Sequence, residues 1–218
     1  MIAGVDEAGR GPVIGPLVIA GITASNQDSF QKLKVKDSKK LSAKRRMYLA
    51  KHIKQIAQNI EFVVIKASDI DDMRKVMTMN EIEVHAFTKV IKKLKPEICY
   101  VDAADVNSKR FGDHISIHLP KSIQIISEHR ADDIYPIVSA ASIIAKTIRD
   151  KEIEMIAHRL EKRIQKPLGS GYPSDPITQR FINYWVKKYK KLPPNTRKSW
   201  KTAQRIYEQH TRKTLDDF

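Results

Sequence analysis

The chain is poor in several things, and each shortage excludes a class of protein. One cysteine in 218 residues, Cys99, rules out an intramolecular disulfide framework and any all-cysteine zinc site. No run of about 18 apolar residues occurs, so no membrane-spanning helix is expected. The opening MIAGVDEAGRG has no basic stretch leading into an apolar run, so no secretory signal is read and a cytoplasmic protein is expected. Neither a GxSxG elbow nor a P-loop is present, and there is no internal repeat. Acidic residues are also in deficit, 25 Asp+Glu against 40 Lys+Arg, for a formal net charge of +15. High net charge can mean disorder. Runs such as PLVIAGI and SAASIIA argue otherwise, because they are apolar enough to be buried.

The positive charge is unevenly placed. Residues 25–60 carry ten basic and two acidic residues, and residues 161–218 carry fourteen and five. The stretch between them is close to neutral. Basic blocks attract polyanions and release their counterions on binding, so nucleic acid is the expected partner, with a merely solvated lysine surface as the alternative.

The apolar pattern predicts strands at Ile2–Val5 and Val13–Thr23 joined by the turn DEAGRGP, then a basic loop over Lys32–Lys40. Ser42 can cap a helix running to about Asn59. Further strands are read at Phe62–Lys66, Ile98–Val101 and Ile123–Ile126. Helices are read at Met79–Leu94, Ile137–Leu160, Ile177–Lys188 and Thr202–His210, with GSGYPSDP and KKLPPNTRKSW as loops. A hairpin followed by alternating strands and helices implies an α/β fold, a mixed sheet with helices on its faces.

Acidic residues at the ends of apolar strands are costly unless something neutralises them. Asp6 and Glu7 end the first strand, and Asp102 follows ICYV. They fit a hard cation such as magnesium, or else strand-end caps and ion pairs with lysines. Asp132 precedes a long helix and is open to the same reading or to an interaction with the helix dipole. Gly9-Arg10-Gly11-Pro12 permits close approach of backbone to a ligand, or is a plain turn; no helix follows, so it is not a dinucleotide fingerprint. His114 and His118 have helical metal-ligand spacing, but ISIHLP alternates like a strand and lacks further zinc partners. Cys99 reads as core. Tyr172 reads either as an exposed ring for stacking on a nucleotide or as a packed loop residue.

Taken together, GVDEAGRGPVIGPLVIA, DSKKL, VDAADVN, HRADDIYPIVSAASIIAK, GSGYPSDP and RKSWKT resemble ribonuclease HII in its single-chain archaeal form. The resemblance implies an RNase H-like five-stranded mixed sheet flanked by helices, a catalytic domain over 1–160 and a basic helical C-terminal region over 161–218. It implies cleavage of the RNA strand of RNA/DNA hybrids and incision at ribonucleotides embedded in duplex DNA, leaving 5′-phosphate and 3′-hydroxyl ends, with Mg2+ or Mn2+. By motif, Asp6, Glu7, Asp102 and Asp132 match the metal ligands; Asp133 is adjacent, and the His-basic-Ala-Asp pattern favours Asp132. Gly9, Arg10 and Gly11 match the element that reads the 2′-hydroxyl, Tyr172 the sensor of the RNA-to-DNA junction, and Lys39 a phosphate contact. A monomer is expected. The tail Arg212–Phe218 resembles the peptide that binds the sliding clamp PCNA, although it opens on Arg and has a single aromatic; a frayed terminus is the alternative. Two other classes stay open: a non-catalytic nucleic-acid-binding protein, and a nuclease of the same fold acting on DNA junctions.

Overall fold

The computed structural model describes residues 1–33 and 41–211. The chain runs β1 (Ile2–Ala8), β2 (Leu17–Ala24), α1 (Asp28–Lys32), α2 (Ala43–Ile56), β3 (Asn59–Ile65), α3 (Ala67–Met73), α4 (Met79–Leu94), β4 (Ile98–Asp102), α5 (Ser108–Ser116), β5 (Gln124–Glu128), α6 (Ala131–Ile134), α7 (Pro136–Ile164), α8 (Pro176–Tyr189) and α9 (Lys201–Thr211). The strands form one five-stranded sheet in the order β3-β2-β1-β4-β5. β1 pairs antiparallel with β2 and parallel with β4, and β4 pairs parallel with β5. The mixed sheet expected from the sequence is therefore present.

Two compact units divide the chain. The first is Met1–Ala8, Leu17–Val64 and Met77–Asp150; the second is Gly9–Pro16, Ile65–Val76 and Lys151–Phe218. In the first, two glycines on adjacent strands let helices press directly onto the sheet. A Cβ on Gly21 would stand 2.7 Å from Leu94 and 2.8 Å from Val90 of α4. A Cβ on Gly4 would stand 2.5 Å from the backbone of Ile137, at the start of α7. Successive strand residues face opposite sides, and the register pairs Val5 with Gly21. Thus β1 offers Val5 to the α4 side, and Gly4 and Asp6 to the α7 side. The second unit has its own core, built on Val13, Ile14, Leu160, Phe181, Trp185 and Ile206.

Local chemistry explains the boundaries. The Ser42 hydroxyl accepts from the Arg45 amide at 3.2 Å and starts α2 as expected. Its end comes at Ile56, because β3 already begins at Asn59. Thr78 and Glu81 form a reciprocal capping box at the start of α4, and Lys95 in the left-handed region ends it before Pro96.

Three expectations are corrected. The strand expected over Val13–Thr23 begins only at Leu17, because Gly15 has φ +100 and residues 9–16 belong to the second unit. Lys32 is not in a loop but closes α1; residues 34–40, which include Lys39, lie outside the described residues. The alternation in ISIHLP is not a strand: Ser108–Ser116 is helical, capped by the Asn107 side chain, with Phe111 and Ile115 buried. His114 therefore sits on a helix, and His118 stacks on His85 with ring centroids 5.5 Å apart.

Because the contact at Gly4 is with backbone, which cannot rotate away, Gly4→Ala should destabilise the protein by about 3 kcal/mol. Urea denaturation checks this; a loss below about 1 kcal/mol would mean that the start of α7 yields freely.

Candidate active site

The parallel register of β1 and β4 builds the site. Val5 lies opposite Val101, so Asp6 and Asp102, each one residue further on, emerge side by side at the C-terminal ends of neighbouring strands. β5 continues the parallel set, with Asp102 opposite Glu128. The chain then turns at Arg130, φ +57, into the single turn of α6. That turn is docked on the strand end: the Ala131 amide donates to Asp102 Oδ1 at 3.0 Å. The next residue is Asp132, buried, and its backbone carbonyl accepts from the Ser139 hydroxyl.

Asp6, Asp102 and Asp132 each present a carboxylate oxygen, and these oxygens lie within 4.8 Å of one another. Asp133 is directed elsewhere, into an ion pair with Arg130 at 2.7 Å. Glu7 follows Asp6 on β1 and so starts on the opposite side of the strand. Its amide donates to Asp6 Oδ1 at 2.7 Å, and its carboxylate is not one of the three clustered groups.

Burial pushes the Asp6 carboxyl up, and the neighbouring Asp132 pushes the same way. Lys146 and a hydrogen bond from Ser142 pull it back. These two residues lie one turn apart on α7, and Lys146 Nζ donates to Ser142 Oγ at 2.7 Å. Both lie in the family-like segment HRADDIYPIVSAASIIAK without being among the candidate site residues, although a serine and a lysine four apart in an apolar run are a visible signal. Three crowded, mostly buried carboxylates repel one another unless a cation lies among them. An all-oxygen donor set suits a hard divalent ion. Cys99 is wholly buried, and burial pushes its thiol up, which leaves it inert.

The glycine turn and Tyr172 belong to the second unit. The Val13 and Ile14 amides both donate to the Gly171 carbonyl, at 2.8 and 3.1 Å, which ties the turn to the loop GSGYPSDP. Tyr172 is exposed, and its ring lies 3.8 Å from where a Cβ on Gly11 would stand. The loop is held by Asp175, which accepts from the amides of Ser170 and Ile177 and from the hydroxyls of Ser170 and Thr178. Lys39 and the tail from Arg212 onward lie outside the described residues.

The model of the family described as Ribonuclease HII matches residues 3–203. The chain belongs to the ribonuclease HII family. The ribonuclease HII of Methanosarcina barkeri is 48% identical over 219 residues, covering 96% of each chain. Among solved structures, the chain resembles one described as the PCNA:RNase HII complex from Archaeoglobus fulgidus, 42% identical with a TM-score of 0.85 and all of both chains covered. It also resembles the ribonuclease H2 of Pyrococcus horikoshii, 41% identical with a TM-score of 0.87, covering 97% of this chain and 99% of that one. The fold and the family implied by the sequence motifs are thus both present. Among the described residues, no helix is long and apolar enough to cross a membrane.

The donors around Asp175 hold its carboxyl down at about 2, below its ordinary 3.8. A depressed folded-state value stabilises the fold above the unfolded value, and that contribution is lost as pH falls through the folded one. Asp175→Ala should cost about 1–2 kcal/mol near neutrality. The gap to wild type should narrow as pH falls from about 4 towards 2. Thermal melts across that range check it; a gap independent of pH would mean that the carboxylate charge contributes nothing.

Proposed function

We infer that this ribonuclease HII chain is an endonuclease that hydrolyses the RNA strand of RNA/DNA hybrids and incises at ribonucleotides embedded in duplex DNA, leaving 5′-phosphate ends. The observation that carries the reading is the buried Asp6–Asp102–Asp132 cluster in a chain of this family. These three carboxylates, joined by Glu7, would hold Mg2+ or Mn2+. When bound, the metal supplies a nucleophile at neutral pH and charge neutralisation at the phosphate.

The chain's own residues do the rest. Asp102 couples the site to α6 through the Ala131 amide, so the strand end and Asp132 keep one geometry. Lys146 offsets part of the repulsion on Asp6. Gly9, Arg10 and Gly11 present backbone to the 2′-hydroxyl, the group that distinguishes RNA from DNA. Tyr172, exposed beside Gly11, packs against the sugar at the RNA-to-DNA junction. Lys39 and the basic blocks meet backbone phosphates. The site of action is the cytoplasm.

Asp102→Asn tests the reading, with a DNA duplex carrying one ribonucleotide and either metal. Incision should fall at least about a hundredfold while binding to the hybrid stays similar, since a metal ligand rather than a phosphate contact is removed. Full activity in the variant, or incision by wild type in the absence of divalent metal, would sink it. A non-catalytic binding protein would give no cleavage under any condition.

The Archaeoglobus structure is of ribonuclease HII in complex with PCNA. On that basis the tail Arg212–Phe218 of this chain is proposed as a sliding-clamp ligand, a tether that raises local concentration at replicating DNA. Calorimetric titration of the cognate clamp against the full chain and a chain ending at Lys213 should give binding to the first alone. Equal binding, or none, removes the tail from that role.

A further inference from the structure

The second unit contains a wholly buried arginine, Arg197. Its guanidinium donates to three backbone carbonyls: Nε to Gly15 at 3.0 Å, Nη1 to Arg10 at 2.8 Å and Nη2 to Gly9 at 2.5 Å. Three residues on, Trp200 lies against the same group, its ring 4.8 Å from the guanidinium carbon. The indole Nε1–H donates to the Gly11 carbonyl at 3.1 Å. Backbone bonds complete the seam: the Arg197 amide donates to the Val13 carbonyl at 2.8 Å, and the Gly15 amide to the Asn195 carbonyl at 2.9 Å. Between Gly9 and Gly15, the carbonyls of Gly9, Arg10, Gly11, Val13 and Gly15 are all held by the segment 197–200.

Placing a guanidinium wholly inside a protein is costly, and a planar fork with five donors is worth that cost where it fixes several acceptors at once. Peptide planarity then sets what the turn presents outward. In a trans peptide the N–H points opposite to the preceding C=O. Fixing the Gly9 and Arg10 carbonyls inward therefore fixes the Arg10 and Gly11 amides outward. The Gly11 carbonyl precedes Pro12, which has no N–H, so the bond from Trp200 only anchors the turn.

We propose that Arg197 and Trp200 are positioning residues: a buried clamp in which Arg197 holds the carbonyls of Gly9 and Arg10 inward, so that the Arg10 and Gly11 amides stand ready for a ribose 2′-hydroxyl, while Trp200 anchors the turn at Gly11. This rests on the reading of the glycine turn as the 2′-hydroxyl reader. Arg197 and Trp200 touch backbone rather than substrate, and act on turnover through the turn.

The test compares wild type, Trp200→Phe and Arg197→Lys as full chains, with a duplex carrying one ribonucleotide as substrate and an all-DNA duplex as competitive inhibitor. Trp200→Phe keeps a ring over the guanidinium but loses the bond to Gly11; Arg197→Lys keeps the charge but gathers its donors on one nitrogen, without the planar fork that reaches the three carbonyls from Nε, Nη1 and Nη2. In Trp200→Phe, kcat should fall about tenfold, because a reader displaced by a fraction of an ångström no longer aligns the sugar. KM, the inhibition constant of all-DNA duplex and the melting temperature should stay close to wild type. Arg197→Lys should lose more kcat than Trp200→Phe. Unchanged kcat in folded Trp200→Phe overturns the clamp. So does a fall in kcat matched by equal losses in all-DNA binding and melting temperature, which marks a purely structural role. Should Arg197→Lys fail to fold, Trp200→Phe alone decides. A wild type that does not incise at the ribonucleotide overturns the parent reading together with the clamp; a wild type that does, with folded Trp200→Phe equally active, overturns the clamp alone.

Discussion

Like charges do not share a dry corner of a protein without compensation. The oxygens of Asp6, Asp102 and Asp132 within 4.8 Å of one another, with Asp6 and Asp132 buried, are an electrostatic strain built into the fold. Lys146 on α7 offsets part of it, and a divalent cation held among the three would offset the rest. The glycine contacts that flatten α4 and α7 onto β1 and β2 serve the same end, because they bring α7, and with it Ser142 and Lys146, against the face from which Asp6 projects.

The two units solve different problems by different means. Charge and burial organise the first around its carboxylates, where tight helix-on-sheet packing leaves little room to relax. Backbone anchoring organises the second. Asp175 collects four donors to hold the loop of Tyr172, and Arg197 collects three carbonyls to hold the turn of Gly9 and Gly11. In both, one ionised side chain satisfies several backbone groups that a loop would otherwise leave to water. Irregular segments are in this way held in fixed conformations.

Much of this is legible along the chain, for local reasons. Met79–Leu94 is found with its boundaries because a 3.6-residue apolar stripe, the Thr78–Glu81 box and Pro96 all act within a few residues. The carboxylates Asp6 and Asp102 stand out because they end apolar strands. ISIHLP misleads because its alternation runs across the end of a helix, where Phe111 and Ile115 decide the buried face. The apolar residues Val13 and Ile14 mimic a strand that continues into β2, but they are buried in a different core from those of β2.

By itself the sequence determined the composition of the site: which carboxylates stand at strand ends, where the glycines allow close approach, and the motif set that marks the family. Those follow from side-chain chemistry and short-range spacing. Only the tertiary structure decided the partners. That Asp132 joins Asp6 and Asp102 while Asp133 pairs with Arg130 depends on α6 docking against β4. That Arg197 serves carbonyls more than 180 residues away depends on how the chain returns upon itself. Contacts between distant segments are set by the packing of whole elements, and no local pattern of residues encodes them.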